Sequence, residues 1–104
     1  MNEKIIDLRE LFSKMDLDNS EFLNFFDLRH LQAGLLRLKP GESDTQGPHS
    51  SDEIYLVLEG NGFIEIGKKS YAVKKDLFIY VPANVRHKFY GNSQEISVVY
   101  FFSD

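Results

Sequence analysis

The 104-residue chain contains no cysteine. That absence removes disulfides, thiolate zinc sites and cysteine nucleophiles together. Positive charge is scarce too: 12 Lys and Arg face 16 Asp and Glu, for a net charge of −4. An acidic chain without a Lys/Arg cluster is a poor ligand for nucleic acid or anionic membranes. No apolar stretch approaches the ~20 residues of a membrane-spanning helix. The opening residues "MNEKIIDLRE" carry acids where a signal peptide needs a basic start and an apolar run. A cytoplasmic protein is the resulting expectation, with no nucleic-acid or membrane partner. Also missing are a G-x-S-x-G elbow, a phosphate-cradling Gly-rich loop before a helix, and an H-E-x-x-H pair.

What is present favours a β-rich core. Hydrophobic residues make up 42% and aromatics 13%, with nine Phe and five Tyr. The length fits one domain. In "NEKIIDLRELFSKM", Ile5, Leu8, Leu11, Phe12 and Met15 recur at helical spacing, with Asn2 as a cap. A short strand at "KIIDL" followed by a helical turn accounts for the same residues equally well. "DLDNS" (16–20) reads as a polar turn and "EFLNFFDL" (21–28) as a strand. From there the pattern is plainly β, through "LQAGLLRL", "DEIYLVLEG", "FIEIG", "YAV", "DLFIYVP", "RHKFY" and "EISVVYFF". Seven or eight short strands with close turns predict an all-β sandwich or barrel of antiparallel pairs.

Within "GPHSSDEIYLVLEGNG", a histidine stands four residues before a glutamate. Side chains alternate along a strand, so an extended chain from residue 49 would put His49, Glu53, Tyr55 and Val57 on one face. A barrel that turned this face inward would bury a carboxylate, which is costly unless paired or metal-bound. His87 follows two strands later. Two histidines and one carboxylate are the inventory of a facial triad with open coordination positions. Taken alone, His49 and Glu53 read as a loop histidine and a strand-flanking acid.

The two stretches together resemble the motifs of the cupin superfamily. "PHSSDEIYLVLEGNG" is similar to the first motif, with its histidines, a glutamate and then a glycine at Gly60. "DLFIYVPANVRHKFYGN" resembles the second, with Asp76, Pro82, Asn84, His87 and Gly91 at its characteristic positions. Asp and Asn tolerate left-handed backbone, so Asp76 and Asn84 can replace turn glycines. The resemblance implies a double-stranded β-helix, or jelly-roll barrel, over residues 31–104, with residues 1–30 as a partly helical extension packed on it. It implies His49, Glu53 and His87 as ligands of one divalent transition metal (Fe, Mn, Ni or Zn). The first histidine position falls on Gly47. Gln46 beside it is either a carbonyl-oxygen ligand or a solvated loop residue.

Further expectations follow from strand phase. Tyr55 shares the face of Glu53 and Phe89 that of His87, so these two are candidate substrate contacts, with Tyr100 a further aromatic near the pocket. Glu53 serves as a ligand or, when displaced, as a general base. Arg37 and Asp52 should point away from the pocket, and His30 should lie at the surface or on an edge strand. Lys68, Lys69, Lys74 and Lys75 guard a hairpin edge against further pairing. The resemblance implies a metal-dependent enzyme acting on a small oxygenated molecule: a dioxygenase, isomerase, lyase or decarboxylase. The alternative is a non-catalytic module for a sugar or small carboxylate. A homodimer through the outer sheet, with "EISVVYFF" contributing, is the expected assembly.

Overall fold

The computed structural model describes residues 3–42, 44 and 49–103. One helix, α1 (Leu8–Asp18), precedes eight strands: β1 (Phe22–Asp27), β2 (Gln32–Leu38), β3 (Glu53–Glu59), β4 (Gly62–Ile66), β5 (Lys69–Val73), β6 (Phe78–Val81), β7 (His87–Tyr90) and β8 (Ile96–Phe102). Every strand pair is antiparallel, in a five-stranded sheet ordered β1-β2-β8-β3-β6 and a three-stranded sheet ordered β5-β4-β7. This is the expected jelly-roll. Among the described residues, no helix is long and apolar enough to cross a membrane.

The N-terminal ambiguity resolves as a helix. Its cap is Asp7 rather than Asn2: the Asp7 carboxylate accepts from the Arg9 backbone N–H at 2.8 Å, satisfying a donor that the first turn leaves free. The helix also runs through the first half of "DLDNS". It stops only where Asn19 turns left-handed at φ 51°, and the Asn19 N–H closes onto Met15 and Asp16 carbonyls.

Inward-facing residues of both sheets form one core: Leu36, Tyr55, Val57, Ile64, Phe89 and Val98 are among its members. Burying each such side chain contributes about 1.5–3 kcal/mol. A second, smaller core lies outside the larger sheet, where Met15 of α1 covers Leu35 and Val99. Strand β2 is therefore buried on both faces from Ala33 to Leu38. Residues 22–27 are more than an appendage, since β1 hydrogen-bonds along β2 and forms that sheet's edge.

Arg37 does alternate outward from the barrel, yet it is only 9% exposed because the N-terminal segment lies over it. Its guanidinium donates to the Asp16 carboxylate and, at 3.4 Å, to the Ser20 carbonyl, tying the end of α1 to the sheet. The two partners differ in burial: Asp16 is 68% exposed at its side chain and Arg37 10%. Removing the aspartate strands a buried charge, whereas removing the arginine returns a carboxylate to water. Asp16→Ala should therefore cost about 2–3 kcal/mol in urea unfolding and Arg37→Met less than about 1 kcal/mol. The reverse order would contradict this account of the clamp.

Candidate metal centre

Strand β3 delivers Glu53 and Tyr55 to the barrel interior by simple alternation, and both are buried. Strand β7 opens with His87, likewise buried. His49 arrives differently. It precedes β3 in non-strand chain, so the period-two argument does not place it. Its carbonyl accepts the Asn84 N–H at 2.7 Å, and Asn84 reaches that position in the left-handed region, at φ 64°. Asp76, at φ 73°, also takes the left-handed conformation anticipated for it. Asp52 faces outward as expected and adds a second staple, its carboxylate accepting from the Ala83 N–H at 3.0 Å and the Tyr80 hydroxyl at 3.2 Å. The turn before His87 is thus hydrogen-bonded to the segment that carries His49.

These constraints gather three donor groups. One ligand atom each from His49, Glu53 and His87 lie within 4.8 Å of one another. His87 Nε2 is 3.1 Å from Glu53 Oε1 and His49 Nε2 is 3.5 Å from the same oxygen. The longer contact is an electrostatic approach, because His49 Nε2 has no hydrogen-bond partner among the described residues; neither has Glu53 Oε2. A buried carboxylate oxygen and a buried imidazole nitrogen left without partners cost about 1–3 kcal/mol each. A cation held between them would satisfy both, so the residues present fit a metal ion.

The groups around the triad were only partly foreseeable. Tyr55 is fully buried, and its hydroxyl donates to Glu53 Oε1 at 3.0 Å while lying 3.0 Å from His87 Nε2. Phe89 packs edge-on against Tyr55 with ring centroids 5.0 Å apart and belongs to the core. Tyr100 is also in the core, bonded through its hydroxyl to Asn24. Burial, then the Glu53 charge, push its pKa up to about 12, so it remains a neutral phenol. His30 is exposed and outside the cluster. Gln46 and Gly47 lie outside the described residues. Two participants gave little sequence signal. Asp44, which heads the run "DTQGPHSSDEIY", accepts the Phe89 backbone N–H at 2.9 Å, a role that the run itself does not indicate. Phe102 stacks on His49 at 5.2 Å from the end of the last strand.

His87 Nδ1 donates to the Val85 carbonyl at 2.9 Å, which turns Nε2 toward Glu53 and the Tyr55 hydroxyl. The His87 pKa is raised. Burial alone pulls it down, but the hydrogen bonds to Glu53 and Val85 and the charges of Glu53 and Asp44 prevail.

Fold and site together define a small jelly-roll protein with two histidines and a glutamate gathered inside the barrel. A family profile described as the cupin domain matches residues 34–103. The chain belongs to the cupin family. It is 35% identical over 100 residues to the uncharacterized protein SCO3923 of Streptomyces coelicolor, covering 96% of this chain and 95% of that one. It is 24% identical over 75 residues to the dimethylsulfoniopropionate lyase DddW of Ruegeria pomeroyi, covering 72% of this chain and 49% of the lyase. Among solved structures, TT1209 from Thermus thermophilus superposes with a TM-score of 0.77 at 19% identity, covering 97% of both chains.

The raised His87 pKa fixes the sign of a pH dependence. A value above the unfolded ~6.5 means the metal-free fold holds this proton more tightly than the unfolded chain does. That stabilisation is complete below about pH 6.5 and is lost as pH rises through the folded-state value. Thermal melts of metal-free protein should therefore move down as pH rises above about 6.5, with a flatter slope in His87→Gln. Metal affinity should run oppositely, since the ion competes with the proton. A wild-type slope no steeper than that of His87→Gln would contradict the His87–Glu53 pair.

Proposed function

We propose that the protein is a metal-dependent enzyme moving a proton on a small oxygenated molecule, in an isomerase- or lyase-type reaction. The observation that carries this reading is a pair of buried atoms, His49 Nε2 and Glu53 Oε2, that stand beside His87 without hydrogen-bond partners among the described residues. His49, Glu53 and His87 would hold the ion. Nitrogen and oxygen donors without sulfur suit Fe, Mn, Ni or Zn, and Gln46 is a proposed fourth donor. When bound, such an ion supplies Lewis-acid polarisation of a substrate oxygen.

The chain's own residues supply the proton path. The Tyr55 hydroxyl, within hydrogen-bond distance of Glu53 and His87, holds a proton at the floor of the site. Glu53 is a ligand or, when displaced by substrate, a general base. Phe89 keeps the Tyr55 ring in place, and we assign it that backing role in preference to direct substrate contact. Similarity to a lyase supports elimination chemistry over oxygen insertion, as does a hydroxyl set between a carboxylate and an imidazole. The complete burial of Tyr55 favours the rival reading, a non-catalytic module for a sugar or small carboxylate.

A homodimer in the cytoplasm belongs to the same proposal. Strand β8 is central in its sheet and Val99 is already covered by α1, so "EISVVYFF" offers little free surface. The uncovered part of that outer face carries Ile54, Phe78 and Tyr80, 44%, 72% and 58% exposed, and is the surface a second copy would cover. Sedimentation at micromolar concentration should give a dimer that Phe78→Lys dissociates; a wild-type monomer would contradict this.

Purified protein should carry about one equivalent of divalent metal, lost in His49→Ala and in His87→Ala. Incubated in D2O with a panel of small hydroxy and keto acids, the loaded enzyme should exchange or eliminate a carbon-bound proton. Tyr55→Phe should slow that step by about 10²-fold or more while retaining metal. Oxygen consumption unaffected by Tyr55→Phe would overturn the reaction class. Metal and ligand binding without exchange or turnover would favour the binding module.

A further inference from the structure

We infer that Phe102 is a positioning residue that sets the plane of the His49 imidazole. The inference rests on the cation reading above and concerns how the least anchored of its three ligands is held. His87 has its ring fixed by the Nδ1 bond to the Val85 carbonyl. Glu53 is fixed within β3 and by the Tyr55 hydroxyl. His49 has neither restraint: it lies outside any strand, its side chain is 31% exposed, and its Nε2 makes no hydrogen bond among the described residues. The Asn84 bond fixes only its backbone. The ring nevertheless lies nearly parallel to Phe102, with an interplanar angle of 11° and centroids 5.2 Å apart.

Phe102 is well placed to impose that plane. It is the register partner of Glu53 across the β3–β8 ladder, so it stands directly beside the carboxylate. It stacks in turn on Tyr100, two residues earlier on the same face, at 5.9 Å and 17°. Tyr100 is anchored by its hydroxyl to Asn24 on β1, and its ring passes over Gly34. A Cβ at Gly34 would stand 2.2 Å from the Tyr100 hydroxyl oxygen, so only glycine leaves room for that path. The column therefore runs from β1 through Tyr100 and Phe102 to the cation seat. Groups that orient a metal-bound histidine from behind typically change affinity by about 10–100-fold when removed.

The test uses full-length protein and Co(II). In metal-free wild type, the His49 ring-proton resonances should lie upfield because they face the Phe102 ring. Phe102→Leu should abolish that displacement, weaken Co(II) binding by about tenfold or more in chelator competition, and alter the visible Co(II) spectrum. Phe102→Tyr should restore all three, while Phe101→Leu, on the opposite face of β8, should change none. Unshifted His49 resonances in wild type overturn the inference whatever the variants do. So does a Phe102→Leu protein that binds Co(II) with wild-type affinity and spectrum. If wild type shifts His49 as expected yet takes up no Co(II), the stack stands as structure, and the cation reading, with the role assigned to Phe102 in it, is overturned.

Discussion

A carboxylate almost wholly removed from water is the constraint around which this barrel is arranged. Glu53 is 1% exposed, on the inner face of a central strand pair, and an isolated charge there would cost more than a domain this size can tolerate. One oxygen is answered by Tyr55 and His87. The other has no hydrogen-bond partner among the described residues, and neither has Nε2 of His49. Truncating one partner of such a cluster is far more damaging than replacing the whole cluster with apolar groups. Its presence inside an otherwise hydrophobic core therefore points to function, since stability would be better served without it.

The site is kept together by the main chain as much as by its own side chains. Residues 49–52 and 82–84 are far apart in sequence, yet two hydrogen bonds join them, through the His49 carbonyl and the Asp52 carboxylate. One of these depends on Asn84 adopting a conformation that most side chains resist. A triad carried on strands and stapled turns has its spacing set by the main chain, which would lower the reorganisation that holding an ion requires. The cost is the unpaired atoms and the raised affinity of His87 for a proton.

Much of this was legible in the sequence. Six of the eight strands fall within runs recognised from alternation and turn residues, while β4 and β5 begin earlier than "FIEIG" and "YAV", at Gly62 and Lys69, because main-chain pairing extends into residues that read as turn. Asp76 and Asn84 were readable as left-handed turn residues, since their side chains tolerate that conformation. The parts that escaped are those set by partners distant in the chain. Arg37 alternates outward as a surface residue does, and only the folded-back helix buries it. His49 reached the expected place by a route that strand periodicity does not describe. Phe102 carries no local signal and Asp44 none for the bond it makes, because each acts on a residue more than forty positions away: 53 in the Phe102–His49 stack and 45 in the Asp44–Phe89 bond. Tyr55 had the right face but a closer relation to the triad than lining a pocket, as its hydroxyl lies against Glu53 and His87 themselves.

The central claim, that one buried position inside the barrel binds a single divalent cation, is open to one direct measurement. Crystals grown with Mn, Ni or Zn should give one anomalous difference peak per chain, at bonding distance from His49 Nε2, Glu53 Oε2 and His87 Nε2. A peak elsewhere, or a triad whose three side chains remain as they are with no ion at saturating metal, would contradict it.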